Sequence, residues 1–279
     1  MPPTTLPRTD LVPYVVRHGR GTPMFVLHGG PGMDHSYLRP GLDALGERVE
    51  LIYYDQLGNG RSPEPEDWST VEHDTWVAEL EALRERLGLD RVLLFGTSYG
   101  GFLAQEYALR HPERVPGLVL CCTSPALDFG ERVVANAHAR GTPEQVAAVL
   151  ALLGTPVPDD ATFRSLAQTI LPLYFHRPTP RLLQHFAAVR YRAVPFNRGF
   201  HHCVAGFDTR PELPRLAVPT LVLAGRDDWI MPVDCSAARL AAALPNAELA
   251  VFERSGHFPF LEEPAEFARV VSDWLARTL

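Results

Sequence analysis

The chain has 279 residues, 46% of them hydrophobic, and a formal net charge of −7. That is enough to bury a sizeable core in one domain with an insertion or in two small domains, and the acidic balance argues against a general nucleic-acid binder. All 26 basic residues are arginine, so Schiff-base, pyridoxal-phosphate and P-loop chemistry, each of which needs a lysine, is excluded.

In chain order, Tyr14 to Arg17 and Met24 to Leu27 read as strands, the second running into His28-Gly29-Gly30-Pro31-Gly32. Glycines after a strand let backbone N–H groups face a cavity, although alone they make an ordinary Gly-Pro turn. A third strand, Glu50 to Tyr54, precedes Asp55-Gln56-Leu57-Gly58-Asn59-Gly60-Arg61-Ser62. Ser69-x-x-Glu72 has the form of a capping box before a helix with Trp76, Leu80, Leu83 and Leu87 on one face. Arg91 to Phe95 and Leu118 to Cys122 read as further strands, with Cys121 and Cys122 pointing to opposite faces as small buried hydrophobes. No Gly-x-Gly-x-x-Gly opens the first strand–helix turn.

The alternation stops between Pro125 and Pro214, where helical pieces (Glu144 to Leu153, Arg181 to Val189) are separated by Pro-rich breaks. It resumes with strands Thr220 to Ala224 and Glu248 to Phe252 and a last helix bearing Phe267, Val270, Val271, Trp274 and Leu275 on one face. Strands alternating with helices predict an α/β fold with a mostly parallel sheet. Residues 1–124 and 215–279 are expected to form its core, with 125–214 inserted as helices. Pro2, Pro3, Pro7 and Arg8 interrupt any signal-length apolar stretch, and no run of about eighteen apolar residues exists. The expectation is a cytoplasmic protein without membrane partners, and the four cysteines fit that compartment.

The chemistry centres on Gly96-Thr97-Ser98-Tyr99-Gly100 at the end of a strand. A tight strand-to-helix turn needs nearly side-chain-free residues two before and two after the serine, lifts its hydroxyl above the sheet edge, and aims the next N–H at whatever the oxygen attacks. A serine is a poor nucleophile until a neutral imidazole takes its proton and a carboxylate holds that imidazole. Asp227 and Asp228 stand just beyond the strand ending in Gly225, and His257 follows the next strand, giving the order Ser, Asp, His. His18, His73, His111, His138, His176 and His185 lack such a motif, and His201-His202 has only Cys203 at ligand spacing, so no metal is expected.

With these segments the chain resembles the α/β-hydrolases, and among them the prolyl aminopeptidases (proline iminopeptidases). The resemblance rests on the His28–Gly32 and Asp55–Ser62 segments, the Ser98 turn, and the Asp228 and His257 segments, spanning nearly the whole chain apart from its middle. It implies Ser98 as nucleophile, His257 as general base and acid, and Asp228, third after Gly225, as its orienter. It further implies an oxyanion hole from the N–H groups of Gly30 and Tyr99, a structural Asp55–Ser62 loop, pocket positions at His28 and Trp229, no cofactor, and a helical cap in the middle stretch.

The cap departs from the resemblance. Prolyl aminopeptidases hold a free cationic N-terminus with carboxylates, in some members a Glu beside the catalytic Asp; here that neighbour is Trp229, and no acidic residue lies between Asp160 and Asp208. Arg164, Arg177, Arg181, Arg190, Arg192 and Arg198 do, leaving Asp128, Glu131, Asp208 or Glu212 to reach an amine. The sequence therefore predicts a metal-independent serine hydrolase cleaving a small ester, amide or short peptide, with apolar or anionic acyl groups preferred to a prolyl arylamide. True prolyl aminopeptidase and carboxylesterase or lactonase are its competitors. A non-catalytic ligand-binding relative would not need all three groups, and epoxide hydrolases and dehalogenases need a carboxylate where Ser98 stands.

Overall fold

In the computed structural model, which describes residues 11–279, a seven-stranded sheet runs in the order β1-β3-β2-β4-β5-β6-β7. The strands are β1 Val15–Gly19, β2 Thr22–Leu27, β3 Val49–Tyr54, β4 Leu93–Thr97, β5 Leu118–Cys121, β6 Thr220–Gly225 and β7 Ala247–Phe252. Only β1 is antiparallel to its neighbour. Met24 to Leu27 and Leu93 to Phe95 are fully buried, as their unbroken apolar runs require when helices cover both faces. The N-terminal segment with Pro2, Pro3, Pro7 and Arg8 lies outside the described residues.

All seven expected strands form, with shifted ends. Arg91 is exposed, and β4 begins two residues later and continues to Thr97. The capping box is also displaced. Glu72 is itself the N-cap of the helix His73–Arg86 and exchanges hydrogen bonds with Thr75, while Ser69 sits in a separate turn capped by Asp67. Of 181–189 only 181–184 is helical, as the end of the short helix Pro180–Gln184. Cys122 leaves β5 at φ 48°, which brings its sulfur to 3.9 Å from that of Cys121 instead of onto the opposite face. Both thiols are free and buried.

Between β2 and β4 the strand order reverses, because β3 lies on one side of β2 and β5 on the far side of β4. Such a switch point opens a crevice at the C-terminal ends of the strands. Between β5 and β6 the chain makes helices Gly130–Arg140, Pro143–Gly154 and Asp160–Ile170 and a π-helical segment Asn197–Cys203. Its exit and return are clasped by a bridge between Ala126 and Asp208 and by the Thr209 N–H donating to the Pro125 carbonyl (2.8 Å). No helix among the described residues is long and apolar enough to cross a membrane.

Candidate active site

Ser98 joins β4 to the helix Tyr99–Arg110 at φ 53°, ψ −123°, a strained left-handed geometry for a residue with a side chain. The glycines around it are needed for close approach. A Cβ on Gly100 would stand 2.3 Å from the Leu27 carbonyl oxygen, and one on Gly96 would stand 2.6 Å from the Gly100 carbonyl oxygen. The helix can then begin against β2 with the Tyr99 N–H in its first turn, where no intrahelical acceptor exists.

From β2, the glycine loop packs directly over Ser98: a Cβ on Gly29 would lie 3.0 Å from the Ser98 Cβ. The Gly29 N–H donates to the Tyr37 hydroxyl (2.9 Å), and Gly30, at φ 119°, lines the same cavity as Ser98. His28, expected at the pocket, does not line it. Its ring is fully buried, with Nδ1 2.7 Å from the Gly29 carbonyl oxygen and Nε2 3.3 Å from the donating Gln56 N–H. That pattern assigns the proton to Nδ1 in a neutral ring, and burial lowers its pKa accordingly. His28 braces the glycine loop against the Asp55–Ser62 loop, where the Asp55 carboxylate pairs with His35 (2.6 Å) and accepts from the Arg61 N–H (2.8 Å).

His257, after β7, and Asp228, after β6, are brought together: Nδ1 of the one is 2.6 Å from Oδ2 of the other, with both buried. The other carboxylate oxygen accepts from the N–H groups of Ile230 (3.1 Å) and Met231 (3.0 Å), which fixes its orientation. Asp227 points elsewhere. Its carboxylate bonds His176, and its backbone carbonyl accepts from Arg140, both from the stretch between β5 and β6.

Ser98 and His257 line one cavity. Trp229 lines it too, with its indole N–H unpartnered. Sequence reasoning missed Tyr174, which carried no motif. Its carbonyl accepts from the His257 N–H (2.7 Å), and its ring stands edge-to-face with His257 (5.3 Å) and Trp229 (5.4 Å). Cys122 was also missed in this role: its thiol lies within 4.8 Å of ligand atoms of Asp228 and His257. Burial pushes that thiol well above its ordinary pKa, and the imidazole and carboxylate already hold each other, so the trio is a poor metal cradle. His202 pairs with Glu72 (3.2 Å).

The four candidate amine-binding acids lie outside the cavity. Asp128 pairs with Arg210 (2.6 Å) and Arg239 (2.8 Å), Asp208 with Arg210 (2.6 Å) and Glu212 with Arg215 (2.6 Å), and Glu131 is exposed.

Strand-end positions for Ser98, Asp228 and His257 around a switch-point crevice define an α/β-hydrolase arrangement, and the alpha/beta hydrolase fold family model matches residues 22–264. The chain belongs to that family and is a hydrolase. Its relatives include the proline iminopeptidase of Lactobacillus delbrueckii subsp. bulgaricus, 31% identical over 273 residues, which cover 91% of this chain and 89% of the relative. The solved proline iminopeptidase of Mycobacterium smegmatis superposes with a TM-score of 0.74 at 24% identity, over 99% of this chain and 98% of that one. An esterase from Exiguobacterium antarcticum gives 0.72 at 22% identity, over 95% and 96%. At such identities the two structures establish likeness of fold.

Proposed function

We propose that the protein is a serine hydrolase that cleaves a small ester or amide through an acyl-enzyme, with the 125–214 segment acting as a cap over the site. The observation that carries this reading is the 2.6 Å Asp228–His257 contact at a cavity that Ser98 also lines. Ser98 Oγ attacks the carbonyl carbon as its proton passes to His257 Nε2, and the N–H groups of Gly30 and Tyr99 receive the negative oxygen. Collapse of the tetrahedral adduct breaks the bond to the alcohol or amine, which leaves with the proton from His257. Water then gives its proton to the same nitrogen, attacks the acyl carbon, and releases the acid as the proton returns to Ser98. Asp228 holds the imidazole in the tautomer with its proton on Nδ1 and stabilises its charged form.

Release of an N-terminal proline is the second reading, favoured by the 31% identical relative of that name. Against it stands the cavity, whose lining among the described residues includes no carboxylate to meet an amine.

Ser98→Ala tests the common mechanism. It is expected to lower kcat by several orders of magnitude, about 10⁶-fold in the subtilisin case, and to abolish stoichiometric labelling by a fluorophosphonate. Labelling that persisted at another residue would remove Ser98 from its role.

A further inference from the structure

The cavity has a volume of about 270 Å³. Phe163, Phe196, Val149, Leu152 and Ile170 of the insertion wall it, and among the described residues no basic or acidic residue apart from His257 lines it. The tyrosines that line it, Tyr37, Tyr99, Tyr174 and Tyr191, have pKa values raised by burial and stay neutral. Trp229 puts an apolar ring beside the Asp228–His257 pair.

The acids and arginines of the insertion are used elsewhere. Besides the paired Asp128, Asp208 and Glu212, Arg198 holds Glu72 (2.6 Å) and Arg192 reaches Asp160 (3.6 Å), while Arg164, Arg177, Arg181 and Arg190 are exposed. An ammonium or a carboxylate on the acyl group would lose its hydration in this cavity and find no partner of opposite charge, only neutral donors such as the Trp229 indole N–H, whereas methylenes would gain from leaving water. The anionic acyl groups expected from the arginine-rich sequence are therefore disfavoured along with amines.

We propose that the substrate carries an uncharged, predominantly apolar acyl group of medium length, and that the site selects neither a free amine nor a carboxylate on it. The proposal rests on the acyl-enzyme reading of Ser98.

The test is a series of p-nitrophenyl esters from acetate to dodecanoate with the wild-type protein. A buried methylene contributes ~0.8 kcal/mol, or about fourfold, so kcat/KM is expected to climb two- to fourfold per carbon to about octanoate and then level or fall. The 5-(trimethylammonio)pentanoate ester is expected to be at least a hundredfold poorer than its neutral isostere, the 6,6-dimethylheptanoate, and the adipate monoester similarly poorer than the 6-methylheptanoate. Ala167→Trp puts an indole on the cavity wall supplied by the helix Asp160–Ile170. With folding verified by circular dichroism, it is expected to lower the octanoate-to-butyrate ratio of kcat/KM at least tenfold. A profile that is flat or best at acetate, a charged ester matching its isostere, or a prolyl arylamide cleaved a hundredfold faster than its N-acetyl form would each overturn the proposal. Activity surviving in Ser98→Ala would instead strike the mechanism and leave the chain-length result to stand by itself.

Discussion

Asp227 and Asp228 are sequence neighbours with different tasks, because successive residues after a strand point in different directions. Asp228 turns inward, where two N–H groups hold one oxygen and His257 the other. Asp227 turns toward the insertion and pairs with His176. Asp228→Asn is expected to lower kcat by about 10⁴, the cost of the wrong imidazole tautomer in the serine protease case. Asp227→Asn, which loosens only the seat of the insertion, is expected to act mainly on KM. Steady-state kinetics of both variants on one ester decide the matter, and an inactive Asp227 variant beside an active Asp228 variant would reverse the assignment. The sequence places both acids at the strand end but leaves their directions to the Asp228 backbone contacts. His28 shows the same limit. Its motif is visible, yet whether its ring faces a cavity or the loop behind depends on Gln56, distant in sequence.

At the scale of elements, the turn between β4 and the helix Tyr99–Arg110 works because that helix starts in contact with the end of β2. Gly100→Ala would drive a methyl to 2.3 Å from the Leu27 oxygen and 2.6 Å from the His28 oxygen, both backbone atoms that cannot swing aside. It is expected to destabilise the protein by more than ~3 kcal/mol, the scale of severe overpacking, and to remove activity with the displaced serine. Gly154→Ala is the control: nothing lies within 4 Å of its Cβ position at the end of the helix Pro143–Gly154, so its melting temperature should match or slightly exceed the wild type's. Equal melting temperatures for both variants would contradict the close-approach argument. Strand and helix identities were legible because burial on both faces writes continuous apolar runs. Helix starts were less so, since Glu72 and Ser69 compete for the same cap and only local packing selects Glu72.

For the molecule as a whole, buried acids contribute a pH dependence of stability, and Glu79 is the most strongly shifted of them. Glu79 lies in the core beneath the Asp55–Ser62 loop, accepts from the Leu57 N–H (3.1 Å), and is pushed up by burial from 4.5 to about 8. The folded state therefore holds a proton that the unfolded chain releases above pH ~4.5, so the contribution of Glu79 is full below that pH and is lost as pH rises through about 8. Glu79→Gln removes this slope. Relative to wild type, its urea midpoint is expected to gain steadily from pH 5 to pH 8.5. His73, lowered by burial to about 4, and Glu106, raised by burial to about 7, act equally in both proteins and cancel. Parallel midpoint profiles would show that Glu79 is ionised in the fold.

The sequence by itself determined the alternation of strands and helices and the residues with chemical capacity at strand ends, because each is written in local periodicity and spacing. It also held the shortage of acids in the insertion. The tertiary structure decided where those residues point and what meets them: Tyr174 against His257, Asp227 in the hand of His176, His28 turned away, and a cavity whose described lining is mostly apolar. These are contacts between segments far apart along the chain, set by how helices seat on the sheet, and no single stretch of sequence carries both partners.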